Sequence, residues 1–271
     1  MERPLKLVVF TSLASPYAPI VLEALFFRYH ELIQAVVTVN PVGTTSRVKK
    51  ILAVMRTAGA RYAALKLILF GSIRLRQFLG STPTISSLCR KSDIRLITVE
   101  SLKAPAALDL LRNIGPDVLL SVLFEKIFPE EILRIPTMAA LNFHPAPLPR
   151  YAGIAPTFWV LSEGEKRTAV TLHYLDAGID TGDIFSHHEV EIEEHDSVHR
   201  LYVRCCKKGS EQLCDALENI LTSKLPRTAQ NVGERTYFSA PTRTGYKSLR
   251  AKHHSLWRLR DLIAPWEMMY K

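Results

Sequence analysis

The stretch PDVLLSVLFEKIFPEEILRIPTMAALNFHP (116–145) decides the fold. Its first part, PDVLLSVLF (116–124), is a near-continuous apolar run of the kind found in strands covered on both faces. PEEIL (129–133) comes next, a proline succeeded by two acids, which suits the first turn of a helix. MAALNF (138–143) is a second apolar run. The same alternation extends outward in both directions. KLVVFT (6–11), IQAVVTV (33–39), DIRLITV (93–99) and TAVTLHYL (168–175) read as strands, and APIVLEALFFRYHEL (18–32) as a helix. DSVHRLYVRCCKKGSEQLCDALENILT (196–222) reads as a long amphipathic helix capped by Asp196 or Ser197. Strands alternating with helices predict an α/β fold with a mainly parallel sheet of βαβ units.

Composition bounds the rest. The 271 residues are 47% hydrophobic, enough for a sizeable core. No apolar stretch reaches the ~18 residues that span a bilayer, and the start MERPLKLVVFTSL lacks a signal-peptide pattern. Cys89, Cys205, Cys206 and Cys214 have no metal-ligand spacing, so no metal is expected. Reduced thiols and a cytoplasmic location are expected. The net charge of +9 is concentrated: from Leu32 to Ser92 there is no Asp or Glu, against ten Lys and Arg. Without that segment the chain is close to neutral.

The segment 44–80 lies between the second and third strands. Val48, Ile51, Leu52, Met55 and Tyr62 recur at helical spacing with basic residues between them. It reads as a basic helical insertion whose apolar stripe packs on the core and whose cations face water. Two sharper readings are a docking surface for an anionic substrate and a basic amphipathic helix touching a membrane. After about Ser223 the sequence turns polar, basic and turn-rich. The expected organisation is a catalytic domain over 1–224 and an extension over 225–271 that packs on it.

Two motifs carry chemistry. In ALNFHPAPLPRYAG (140–153), Asn142 and His144 sit at i and i+2 of a strand, so they face one side about 6–7 Å apart while Phe143 enters the core. Pro145 ends the ladder, and the proline-rich loop then crosses the carboxyl edge of the sheet, where open α/β sheets bind ligands. The plainer alternative is two polar side chains satisfied by loop backbone. In LHYLDAGIDTGDIF (172–185), Asp176, Asp180 and Asp183 lie on a loop whose Gly178 and Gly182 permit positive φ. An amide, an imidazole and a carboxylate form a set for acyl-group chemistry: the first two stabilise an oxyanion and the third supports a charged imidazole and receives protons. No nucleophile motif accompanies them, so direct attack by a bound amine or by water is the natural mechanism.

The order N-x-H-P-x-x-L-P-x-x-x-G followed by D-x-G-D resembles the folate-dependent formyltransferases. Asn142, His144, Pro145, Leu148, Pro149 and Gly153 match the first part, and Asp180, Gly182 and Asp183 the second. The resemblance runs from the opening βα unit to about residue 220, outside the insertion and the tail. It implies a Rossmann-like sheet, a catalytic trio of Asn142, His144 and Asp180, and 10-formyltetrahydrofolate as formyl donor. It also implies a folate pocket formed by Glu125, Lys126, Ile127 and Phe128, by Leu148 and Pro149, and by Leu175 and Asp176. Lys126 is equally a solvated lysine, and His173 either a second site histidine or an ordinary strand residue. The family's usual HPSLLP reads HPAPLP here, so Ala146 lacks a hydroxyl and Pro147 an N–H.

The implied reaction formylates a primary amine. The barrel domain with which tRNA-acting members hold tRNA is not expected in residues 225–271. The expected acceptor is therefore a small amine, an amino sugar or an amino-acid-derived amine, and the cationic insertion suits one bearing phosphate. Alternatives are hydrolysis of 10-formyltetrahydrofolate, methionyl-tRNA formylation, and a non-catalytic basic module that binds nucleic acid or membrane. A lipid-linked substrate at a membrane surface and a homo-oligomer stay open as partners.

Overall fold

A computed structural model describes residues 3–40 and 47–263. Its centre is a seven-stranded sheet in the order β3-β2-β1-β4-β5-β7-β8. The strands are β1 (Leu7–Thr11), β2 (Ile33–Val39), β3 (Leu96–Val99), β4 (Val118–Val122), β5 (Ala139–His144), β7 (Arg167–Tyr174) and β8 (Ile184–Glu191). The first five are parallel; β7 runs antiparallel to β5, and β8 to β7. Two short strands, β6 (Ala152–Gly153) and β9 (Tyr237–Phe238), pair separately.

Every residue of β1 is buried because helices cover both sheet faces. Leu7 and Val9 point into one core with α1 (Ala18–Tyr29), α7 (Pro156–Glu163) and α8 (Val198–Leu221). Val8 and Phe10 point into the other, with α5 (Pro105–Ile114) and α6 (Glu130–Leu133). The strand between those two helices is the near-continuous apolar run read from the sequence, and its burial on both sides explains why it lacks alternation. Ser197, not Asp196, caps α8, accepting a hydrogen bond from the Arg200 amide at 3.1 Å. Asp196 is instead held by Arg204 at 2.6 Å. All four cysteines are free and buried, and burial pushes the Cys205 thiol up to about 12.

The insertion differs from its expected form. Residues 44–46 lie outside the described residues, as do 264–271 of the extension. From Arg47 onward the insertion forms two helices, α2 (Arg47–Ala58) and α3 (Ala60–Phe78), because Gly59 at φ +95° interrupts the helical pattern. The expected single stripe is therefore split. Tyr62 enters the core, edge-on to Phe158, while Leu52 and Met55 on α2 are exposed. The helix α4 (Ile85–Lys91) completes the crossover to β3.

The segment after α8 packs on the body of the molecule. Through α9 (Arg243–Ala251), Ser248 Oγ donates to the Ser162 carbonyl at 2.6 Å, and Gly245 lies against Trp159. Just before α10 (Leu259–Ile263), the Trp257 indole N–H donates to the Leu65 carbonyl of α3 at 2.7 Å.

Candidate active site

β5 and β7 are antiparallel neighbours whose register sets Asn142 against His173 and His144 against Thr171. Alternation along each strand then puts Asn142, His144, Thr171 and His173 on one side, while Phe143 packs into the core against Gly209 of α8. Asp180 arrives from the loop between β7 and β8. Its Oδ2 lies 3.7 Å from His144 Nδ1 and its Oδ1 3.5 Å from His173 Nε2. The three residues predicted from sequence therefore converge, and His173 joins them.

Hydrogen bonds fix how each group is presented. A carbonyl can only accept, so His144 Nε2 carries hydrogen toward the Tyr151 carbonyl at 3.0 Å, leaving Nδ1 to face Asp180. By the same logic His173 Nδ1 donates to the Tyr174 carbonyl at 2.8 Å. In the neutral ring His173 Nε2 then accepts from the Asn142 amide nitrogen at 3.1 Å. That contact orients the Asn142 amide and leaves its second N–H without a partner among the described residues, able to donate. Asp180 Oδ2 accepts from the Gly153 N–H at 2.8 Å.

The loop geometry departs from expectation in one respect. Gly178 and Gly182 do not use positive φ; Asp180 itself does, at 54°. A strained non-glycine residue whose carboxylate is the functional group fits the placing of strain at active sites. Gly182 is needed for space, since a Cβ there would overlap the Tyr174 carbonyl oxygen.

Burial and charge set the protonation states. Burial alone would raise the Asp180 carboxyl, but in the acid range where it would titrate the His144 ring is protonated, and that charge with the Gly153 N–H outweighs burial and holds the group well below the usual carboxylate range. For His144 burial is the largest influence and lowers it; Asp180 and the Tyr151 carbonyl raise it by less. The standing imidazolium expected from the carboxylate's proximity is thus reversed, and the ring is neutral at pH 7.

The residues assigned to a folate pocket by resemblance separate into two kinds. Glu125, Lys126 and Ile127 are exposed on the loop beyond β4, and the main chain of 125–127 makes no hydrogen bond to the described residues. Phe128 is buried, edge-on to Phe10 at 5.0 Å, and serves as a core anchor for that loop. Leu175 packs into the same cluster from the β7–β8 side. Leu148 is buried, its N–H donating to Thr171 Oγ1 at 3.3 Å, and the Leu148–Pro149 bond is cis. Asp176 is exposed and organises its own loop, accepting from the Gly178 N–H at 3.0 Å and Thr181 Oγ1 at 2.7 Å. The main-chain groups of 125–127, unpaired among the described residues, and the exposed Ile127 side chain suit contact with a flat heterocycle with polar edges.

Several contributors had no sequence signal. Thr171 Oγ1 donates to the Ala146 carbonyl at 2.6 Å, pinning the proline-rich loop. Gln230, from the extension, donates to the Asp180 and Gly182 carbonyls at 3.1 and 2.6 Å. Arg235 holds the Ile179 carbonyl at 3.0 Å, and Arg227 lies 3.7 Å over the Tyr174 ring and 3.5 Å from Asp183. The tail thus grips the aspartate loop from behind. A separate surface cavity lined by Glu23, Gln77, Thr82 and Arg90 lies away from these groups.

Comparison with known proteins gives the family and the fold. Residues 66–217, more than half of the chain, match the formyl transferase family model. Methionyl-tRNA formyltransferase of Clostridioides difficile is 35% identical over 159 residues, 59% of this chain and 51% of that one. Its counterpart in Caldanaerobacter subterraneus is 33% identical over 195 residues, 69% of this chain and 61% of that one. The chain spans about half the length of the first of these relatives. Among solved structures, the N-formyltransferase from Helicobacter canadensis in complex with folinic acid and dTDP-3-aminofucose superposes with a TM-score of 0.58. At 18% identity over 87% of this chain and 71% of that one, the likeness is one of fold.

Proposed function

The chain belongs to the formyl transferase family, and from that premise we propose that it moves a formyl group from 10-formyltetrahydrofolate to the primary amine of a small acceptor. The observation that carries this reading is the convergence of Asn142, His144 and Asp180 at the carboxyl edge of the sheet. The loop 125–127 leaves the carboxyl end of β4, the strand next to β5, and its main chain with Ile127 is the proposed seat for the pterin ring. The donor supplies a carbonyl carbon bound to nitrogen; attack by a neutral amine forms one C–N bond, and loss of N10 breaks the other.

Each side chain then has a task. The second N–H of Asn142 donates to the carbonyl oxygen as negative charge gathers there. His144, neutral at the start, takes up the proton released by the amine at Nδ1, beside the Asp180 carboxylate that stabilises the resulting imidazolium. The same Nδ1–H can then donate toward the oxygen and return its proton to the departing nitrogen, which restores the ring. Asp180 stays ionised throughout.

This order of events has a pH signature. The reactive His144 is the neutral form, so activity is lost as pH falls through its pKa. The acid limb of kcat/KM against pH is expected below the ordinary histidine value of about 6.5, with a plateau through neutrality. Activity that instead falls as pH rises through the His144 pKa would show that the ring must enter protonated.

The expected acceptor is small, an amino sugar or an amino-acid-derived amine, and the acid-free cationic segment favours one bearing phosphate. Incubating the protein with 10-formyltetrahydrofolate and a panel of amines, with and without phosphate, is expected to give products heavier by one formyl group. Including uncharged tRNA and methionyl-tRNA in the panel tests the alternative that its sequence relatives raise. Formate release at the same rate with no acceptor would reassign the site to hydrolysis.

A further inference from the structure

α3 has two apolar sides, and only one of them is used by the core. Tyr62, Ala63, Leu69 and Ile73 are buried against the body. On the opposite side Ala64, Leu67, Ile68, Gly71, Leu75 and Phe78 recur at intervals of one, three or four residues, all exposed. The large ones are far from marginal: Leu67 is 51% exposed, Leu75 58%, Phe78 87%, and Leu79 just beyond the helix 66%. At about 100° per residue, Arg61 and Arg74 fall on opposite edges of this stripe. Both are exposed, Arg74 donating to the Ala14 carbonyl at 2.8 Å and to Gln77 Oε1 at 3.0 Å while keeping its charge at the surface, and so are Lys49 and Arg56 on α2. A contiguous apolar strip rimmed by polar residues marks an interaction surface.

Charge decides the occupant. No acidic residue occurs between Leu32 and Ser92. A second copy docking here about a two-fold axis would set these cations against one another, with no carboxylate of the segment to offset them. An anionic lipid surface supplies both missing partners, phosphate for the edges and acyl chains for the centre. No helix among the described residues is long and apolar enough to cross a membrane, so the contact is one of lying on the surface.

We propose that the outer face of α3 docks on an anionic bilayer, with Leu67, Ile68, Leu75, Phe78 and Leu79 at the boundary between headgroups and acyl chains and Arg61 and Arg74 on lipid phosphates. This places the catalytic domain at a membrane surface whatever amine it formylates.

Vesicle flotation of the full chain tests it, using phosphatidylcholine alone and phosphatidylcholine mixed with phosphatidylglycerol. Binding is expected to the mixed vesicles, to weaken with salt, and to be slight on the neutral ones. Arg61→Gln with Arg74→Gln should weaken the partition about 30-fold, taking each cation near the surface at its usual worth. Leu75→Ser with Phe78→Ser should abolish it while leaving the melting temperature and formyl transfer to a soluble acceptor unchanged, since both side chains are exposed. Absence of binding at low salt, or binding indifferent to both double variants, overturns the proposal. So does a dimer, or a complex with structured RNA, that depends on Leu75 and Phe78 while vesicles are ignored.

Discussion

Substitution of His144 by glutamine is expected to lower kcat by about 10²–10³-fold or more while leaving the fold intact. Glutamine keeps a donor that can reach the Tyr151 carbonyl and fills a similar volume, so the proline-rich loop keeps its anchor. It cannot carry a proton at the position of Nδ1, 3.7 Å from the Asp180 carboxylate. Asp180→Asn is expected to cost as much by a different route. The amide oxygen still accepts from the Gly153 N–H, but the charge that stabilises the imidazolium is gone. In both variants a folate analogue should still raise the melting temperature, because a ligand that binds only the folded state must do so and the 125–127 main chain is untouched. Loss of turnover with retained ligand stabilisation identifies groups that act on the reacting atoms. Near-full activity in either variant removes the trio from the mechanism.

The parts of this site that were legible in the sequence are those set by strand periodicity. Two residues apart on a strand fixes Asn142 and His144 to one side, and the apolar runs around them locate the strand to within a residue of the observed Ala139–His144. Asp180 was legible because a loop leaving an adjacent strand can reach the same edge. Contacts through main chain were not legible. The Tyr151 carbonyl and the Gly153 N–H hold His144 and Asp180, and no side-chain pattern reports the direction of a peptide group. Gln230 was hidden for another reason: it acts from fifty positions downstream in a tail that looks like surface loop. The protonation of His144 escapes the sequence because a neighbouring carboxylate can be read there and the depth of burial that outweighs it cannot. The insertion departs from expectation at one residue. Gly59 sits inside a pattern that otherwise continues, and whether a helix runs through a glycine or breaks there depends on packing.

Gly153→Ala should be among the most damaging single-methyl substitutions in the protein, in stability and in rate together. Its φ is +98°, a conformation that L side chains rarely adopt. An added Cβ would overlap the Phe238 carbonyl oxygen and come within 2.8 Å of the Tyr237 ring. Neither can yield cheaply, because Gly153 is paired with Phe238 in the β6–β9 ladder and Phe238 stacks on Tyr151 at 5.4 Å. Gly80 provides the control. It too has positive φ, at +71°, but a Cβ there meets nothing within 4 Å. Gly80→Ala therefore carries the backbone cost alone, about 1–2 kcal/mol, and its distance from the trio leaves turnover unchanged. Gly153→Ala carries that cost plus the overlap, about 3–5 kcal/mol in total. Whatever movement relieves the overlap also carries the Gly153 N–H away from Asp180 Oδ2, where it now donates at 2.8 Å. Urea unfolding should thus rank the two variants far apart, and residual formyl transfer at a temperature where both are folded should fall only for Gly153→Ala. Equal destabilisation by the two substitutions would mean that β9 yields easily, and an undiminished rate would mean that the Asp180 carboxylate holds its position without that main-chain hydrogen bond.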